Sequence, residues 1–279
     1  MKTLILGGNS FVGMRFCKKY KKNIFTSSRT KNTRFYLDLK KIDENFFLDI
    51  EKEGITHCIF LAAISSPDEC ENNYISAHEL NVKSTKEVIK RLLSLSVKVV
   101  FFSSDQVYPD NRDLFTSEYP CLPKSKYGQM KEEVENAFKN NDDFKIFRLS
   151  YIYDVNDGFL NYLKNCSIRN VEAEIYKDFS RNIIYIEDVI ECMNYAINNW
   201  ENIKKISNIC GPKCQSRSEI ADIIKKKTYN NLEYKIVEAS VDFWKARTKI
   251  CNLDIADTVS ILKRDPISFE HFVENNYEN

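Results

Sequence analysis

The chain has 279 residues, with 41 Lys and Arg against 40 Asp and Glu and a formal net charge of +1; no overall field exists to hold a nucleic-acid duplex or an anionic membrane, and neither is an expected partner. Hydrophobic residues at 43%, with 18 Phe and 15 Tyr, exclude a disordered or low-complexity protein and suffice for one large or two modest domains. The longest purely apolar run, Cys58 to Ile64, is far short of the ~18 residues that cross a bilayer. Met1-Lys2 leads straight into strand-like sequence with no signal peptide, so a cytoplasmic location is expected. The nine Cys and three His show no paired ligand spacing, and no metal site is expected.

In chain order, short runs rich in β-branched and aromatic residues predict strands at 3–6, 24–27, 34–37, 57–62, 97–103 and 145–149. Amphipathic stretches between them predict helices at 11–20, 43–52, 74–95 and 125–138. Near-continuous apolar strands such as Cys58-Ile59-Phe60-Leu61 and Val99-Val100-Phe101-Phe102 mark a parallel sheet covered on both faces, which is a doubly wound α/β fold of Rossmann type. Beyond residue 150 the alternation loosens, with helices expected at 159–166, 188–199, 217–227 and 254–263 and strands near 174–176, 183–185 and 206–209. The expected division is a nucleotide-binding domain over 1–150, also taking in about 183–210, and a smaller interwoven C-terminal lobe over most of 151–279. No linker separates the two, and a cleft between them is the expected ligand site.

Three of only seven glycines, Gly7, Gly8 and Gly13, fall in the first thirteen residues, in Gly7-Gly8-Asn9-Ser10-Phe11-Val12-Gly13. A strand that ends in such a turn and opens a helix can seat a dinucleotide pyrophosphate on free N–H groups. Ser10 stands where a middle glycine is usual; its hydroxyl can still bond to phosphate, although its side chain hinders close backbone approach. An NAD site carries an acidic residue at the tip of the second strand. Here the stretch reads Thr26-Ser27-Ser28-Arg29-Thr30-Lys31, with no carboxylate and with Ser28 and Arg29 able to receive a 2′-phosphate. NADP is the preferred cofactor, NAD remains open, and a solvated basic loop is the plain alternative.

Tyr127 and Lys131 stand four apart on a predicted helix and share a face; an ammonium beside a phenol brings proton transfer into reach near neutrality. About twenty residues earlier a buried strand emerges as Ser103-Ser104-Asp105-Gln106-Val107-Tyr108. Gly7 to Gly13, Leu61-Ala62-Ala63, Asn81, Ser103-Ser104, Tyr127-x-x-x-Lys131 and Arg148 follow the order and approximate spacing of the extended short-chain dehydrogenase/reductases. Within that superfamily the chain most resembles the dTDP-4-dehydrorhamnose reductase branch, with Asp68-Glu69-Cys70-Glu71 after the Ala-Ala strand and Ser104-Asp105-Gln106-Val107-Tyr108 in place of T-D-Y-V-F.

That resemblance implies Ser104, Tyr127 and Lys131 as the catalytic set, with Ser104 orienting the substrate, Tyr127 exchanging the proton, and Lys131 binding the nicotinamide ribose and lowering the Tyr pKa. It implies dinucleotide contacts from Gly7, Ser10, Phe11, Val12, Gly13, Ser28, Arg29, Asp38, Leu39, Leu61, Ala62, Ala63 and Asn81 besides Tyr127 and Lys131. A turn or cap role for Asp38 and an ordinary helix hydrogen bond for Asn81 are equally open. Ser65, Ser104, Asp105, Tyr153 and Arg181 are the expected substrate contacts. Arg217 and Arg247 are further cations for a diphosphate, and Tyr185 and Tyr153 are equally well placed for core packing. Gln106 offers no basicity where the related 4,6-dehydratases have Glu, which disfavours elimination. The implied function is NAD(P)H-dependent reduction of a keto group on a nucleotide-activated deoxysugar. An epimerase of the same superfamily and a non-catalytic NAD(P)-binding regulatory subunit are the alternatives, and a homodimer is left open.

Overall fold

The computed structural model describes residues 1–30 and 33–277. Seven parallel strands form the central sheet: β1 (Thr3–Leu6), β2 (Ile24–Ser28), β3 (Phe35–Tyr36), β4 (His57–Phe60), β5 (Lys98–Ser104), β6 (Phe144–Leu149) and β7 (Ile206–Ile209), in the spatial order β7-β6-β5-β4-β1-β2-β3. Side chains alternate between two cores. Leu4 and Leu6 point to one face and Ile5 to the other, as Cys58 and Phe60 do against Ile59. One core is closed by helices Glu44–Glu53, Thr85–Ser94 and Lys126–Phe138, the other by Phe11–Lys19, Ile186–Asn198 and Ala256–Leu262. Double coverage is why these strands read as almost unbroken apolar runs.

Strand order reverses at β1, and β1 and β4 are paired Leu6 to Phe60. The turn after β1 and the loop after β4 therefore leave the sheet at the same height, at the crevice where open α/β sheets bind ligands.

The predicted helix at 74–95 is three segments: a short helix Tyr74–His78, a π-helical stretch Glu79–Ser84, and the helix Thr85–Ser94. A further helix, Pro67–Asn72, precedes them; Ser66 accepts from the Glu69 amide and Pro67 sits in its first turn. Those start signals are readable in the sequence, but Asn73, at φ −120° and ψ 43°, breaks the segment before the periodicity can show.

The C-terminal lobe packs helices Gly158–Arg169, Arg217–Lys227 and Phe269–Tyr277 on the parallel strands Ala173–Tyr176 and Tyr234–Val237. Beside it lies a sheet in the order Gln215–Ser216, Ser180–Arg181, Ile250–Leu253, Leu114–Phe115. Its last strand comes from the first 150 residues, while β7 and helix Ile186–Asn198 return to the central sheet. The chain thus crosses between the two parts several times. Among the described residues, no helix is long and apolar enough to cross a membrane.

Candidate functional site

The glycine turn is built by backbone geometry. Gly7 and Gly8 both donate to Ser27 O at 3.1 Å. Gly7 has φ +92°, and a Cβ there would stand 3.0 Å from the Ala62 amide nitrogen, so only glycine brings β1 and the β4 loop this close. Ser10 caps the first helix: its Oγ accepts from Gly13 N at 3.1 Å. The Ser10 hydroxyl accepts from the helix and keeps its O–H to donate, beside the Phe11 and Val12 amides of the first turn. The Val12 side chain itself is in the core and Phe11 is half-exposed at the turn.

A groove of about 560 Å³ runs from this turn along the strand ends, lined by Gly7, Ser10, Ser28, Arg29, Leu39 and Leu61-Ala62-Ala63 among others. A glycine cradle that a Cβ would fill, open helix amides and an apolar far wall fit a dinucleotide. Ser28 Oγ accepts from Asn9 Nδ2 at 3.1 Å, which makes Asn9, not singled out in the sequence, the brace of this loop. Arg29 is exposed at the groove edge; Lys31 lies outside the described residues. Asp38 takes the turn alternative, accepting from Lys40 N at 3.0 Å while Leu37, Leu39 and Lys40 line the groove. Asn81 also stands back: its side chain accepts from Ile64 N at 2.8 Å and donates to Ile64 O at 2.9 Å, fixing from the π-helical stretch the loop that forms the groove floor.

At Ser65 the groove meets a second cleft of about 790 Å³. Its floor is the end of β5 and the start of helix Lys126–Phe138. Ser104 accepts from Gln106 N and donates to Asp105 Oδ1, both at 3.2 Å. Tyr127 faces Ser103, Ser104 and Asp105 across the cleft. Burial pushes the Tyr127 phenol well above its ordinary range, with Cys70 and Asp105 adding to the shift. Burial thus works against the phenolate that Lys131 and an oxidised nicotinamide together would favour. Lys131 is 5% exposed; its Nζ donates to Phe102 O at 2.7 Å and lies 5.7 Å from the Tyr127 ring centre. Burial lowers its pKa to about 8, opposed by Glu135.

Arg181 lines the cleft, but its guanidinium is committed: it donates to the carbonyls of Ser180, Thr248 and Lys249 at 2.7 to 3.0 Å and sets Nε 3.2 Å from Asp105 Oδ2. That approach is poorly aligned, and Oδ2 has no hydrogen bond among the described residues. Arg181 therefore serves as the counter-ion of Asp105, with little left for a diphosphate. Tyr153 is 2% exposed in a core cluster with Tyr185, Phe269 and Phe272, away from the cleft. Tyr151, two residues earlier and just outside the strand Ile152–Tyr153, lines the cleft. Arg217 lies 4.0 Å from the Phe159 ring centre and about 5 Å from those of Tyr151 and Phe179, and Arg247 grips Asp68 with two bonds of 2.6 Å across the cleft mouth. The aromatic lining of Tyr151, Phe159, Phe179 and Phe243 was not foreseen; in a chain with 33 Tyr and Phe, composition gives no means of separating wall from core.

Residues 1–257 match the family described as RmlD substrate binding domain. Among curated proteins, the methionine adenosyltransferase 2 subunit beta of Bos taurus is 26% identical over 231 residues, covering 77% of this chain and 63% of that protein; the chain thus spans less than two thirds of that relative's length. Among solved structures, a hypothetical dTDP-4-dehydrorhamnose reductase from Sulfolobus tokodaii superposes with a TM-score of 0.83 at 22% identity, covering 95% of this chain and 96% of that one. A UDP-glucuronic acid 4-epimerase from Bacillus cereus, in complex with UDP-glucuronic acid and NAD, gives 0.82 at 20% identity, covering 99% and 98%. Both solved structures share the Rossmann-like α/β fold of this chain, and the match over residues 1–257 assigns the chain to the RmlD substrate binding domain family.

Proposed function

We propose that this protein reduces a keto group, at C4, of a nucleotide-activated deoxysugar, using NADPH in preference to NADH. The observation that carries the reading is the junction at Ser65, where a groove fit for a dinucleotide opens into a cleft lined by Ser104 and Tyr127, with Lys131 buried behind them on the Phe102 carbonyl. The glycine turn at Gly7, the Phe11 and Val12 amides and the Leu61-Ala62-Ala63 wall would hold a reduced nicotinamide dinucleotide, which would supply the hydride. Ser104 orients the carbonyl oxygen, and Tyr127 gives its phenolic proton to that oxygen as the C–O double bond becomes a single bond. Lys131 stabilises the phenolate left behind and holds the nicotinamide ribose. The Ser28-Arg29 edge favours a 2′-phosphate, and the apolar cleft wall with Arg217 suits the nucleotide of the substrate. Gln106 donates its amide toward Asp105 and Thr248 at 3.3 and 3.4 Å, an arrangement with no base for elimination.

A second reading, a dinucleotide-binding regulatory subunit without turnover, is favoured by the curated relative that is named as a subunit. An epimerase is the third, since one structural neighbour is named as such. One assay separates them: purified protein with NADPH or NADH and a set of nucleotide 4-ketosugars, following reduced-nicotinamide absorbance. A reductase consumes one NADPH per product, and Tyr127→Phe loses ~10²–10⁴ in rate while keeping dinucleotide affinity. Sugar isomerisation without net absorbance change identifies the epimerase. Tight dinucleotide binding with no sugar consumed, unaltered by Tyr127→Phe, refutes the catalytic reading and leaves the subunit.

A further inference from the structure

Glu135 lies one turn beyond Lys131 on the same helix, and both are buried, at 2% and 5% exposure. Residues four apart face the same way and stand about 5–6 Å apart at Cβ. The Glu135 carboxylate accepts from Ser103 Oγ and from Arg148 Nε and Nη2, the latter at 2.7 Å. Arg148, in β6, is 4% exposed and also donates to Tyr108 Oη at 2.9 Å and Ser117 O at 3.2 Å. One carboxylate therefore ties the helix carrying Tyr127 and Lys131 to the strand end carrying Ser103 and Ser104, and to the next strand. The other groups facing Lys131 are the Phe102 carbonyl and Phe101 ring of β5, Tyr127 on its own helix, and the Cys70 thiol of helix Pro67–Asn72; Asp105 stands on the turn packed beside that helix. His78 and Lys86 pair with Glu133 on the exposed side.

We infer that Glu135 is the positioning residue of this site: its bonds to Ser103 and Arg148 hold the helix that carries Tyr127 and Lys131 in register with Ser104. The inference rests on the proposed function for its catalytic meaning but not for its test. Burial alone drives a lysine toward the neutral amine, and a neutral amine neither stabilises a phenolate nor holds a ribose as strongly. Glu135 is the first group that opposes this.

Glu135→Gln alone strands Arg148 as a buried unpaired charge and can fail to fold for that reason. The informative variant is Glu135→Gln/Arg148→Met, which removes both charges together, with Glu135→Asp as the conservative control. The readout is the titration of the Lys131 ε-carbon in protein carrying 13Cε-lysine, the resonance being assigned by its loss in Lys131→Gln. The expected midpoint is about pH 8 in the native chain, displaced from it in the double variant, where Lys131 loses its register against the Phe102 carbonyl, and restored toward native in Glu135→Asp. A folded double variant with the native midpoint overturns the inference and leaves the pair as structural support only. Dinucleotide affinity measured against pH by nicotinamide fluorescence tests the function separately. A moved midpoint in a chain that binds no dinucleotide refutes the enzyme reading and leaves the role of Glu135 intact.

Discussion

Gly128, directly after Tyr127, is where fold and chemistry are most tightly joined. A Cβ at this position would stand 2.8 Å from the Gln106 carbonyl carbon and nearer still to its oxygen. Neither side can yield easily. Gln106 is held by its amide to Ser104 Oγ and by its side chain to Thr248, and Ser125 Oγ caps the helix on the Gly128 amide at 3.1 Å. Gly128→Ala gains about 1 kcal/mol in helix propensity and loses more than that to overpacking, typically 1–3 kcal/mol and more where backbone is struck. A net loss of about 2 kcal/mol, at about 2.1 cal/mol/K of unfolding entropy per residue over 279 residues, lowers Tm by about 3 °C. Relief of the clash requires a shift of about 1 Å between Tyr127 and the Ser104 turn, enough to cost ~10²-fold in rate, while the dinucleotide groove on the far side of Ser65 keeps its affinity. Gly158→Ala is the control: no atom lies within 4 Å of its Cβ position, and the substitution in the first turn of its helix adds about 0.4–1 kcal/mol. Calorimetry with fluorescence titration of NADPH checks both. Native Tm and rate in Gly128→Ala would refute the claim that this contact sets the site.

Two further outcomes follow from charge. Arg29→Glu at the groove edge is expected to lower the preference for NADPH over NADH by at least about tenfold, since a phosphate contact of ~1.4 kcal/mol becomes a repulsion; an unchanged ratio of dissociation constants assigns Arg29 to the surface. His57, buried at 8% exposure and beside Lys98, has its pKa pushed down to about 4 by burial. Between pH 6.5 and 4 the unfolded chain binds a proton that the folded chain refuses, so stability falls as pH drops through that window, by at most about 3 kcal/mol. His57→Phe is expected to remove that part of the slope in denaturant titrations, and an identical slope in the variant contradicts it.

The fold was largely legible because burial on both faces writes the same message into every central strand. Predicted boundaries at 57–62 and 97–103 differ from His57–Phe60 and Lys98–Ser104 only at the ends, where strand apolarity runs on into the ligand loops. What escaped detection is short or locally undetermined. Leu114–Phe115 is two residues that become a strand only because Asn252–Leu253 lies beside them. Tyr234–Val237 is half-exposed and gains its strand identity from Ala173–Tyr176. Such segments owe their state to tertiary pairing and not to propensity.

The site was legible as a set of groups and much less so as a set of free groups. Motif spacing brings Ser10, Asp38, Arg181, Tyr127 and Lys131 toward the strand ends, but spacing does not say which hydrogen-bonding capacities the fold itself consumes. Ser10 caps a helix through its oxygen, Asp38 closes an exposed turn and Arg181 sets its charge against Asp105. A committed arginine cannot be recruited by a ligand unless its carboxylate is left uncompensated, and breaking a buried pair costs ~3–5 kcal/mol. Arg217 instead packs against the rings of the cleft wall, and under the proposed function it is the cation left for an anionic substrate. The same balance bears on Tyr127: burial raises its phenol pKa, and under the proposed reduction that favours its service as the acid that protonates the alkoxide.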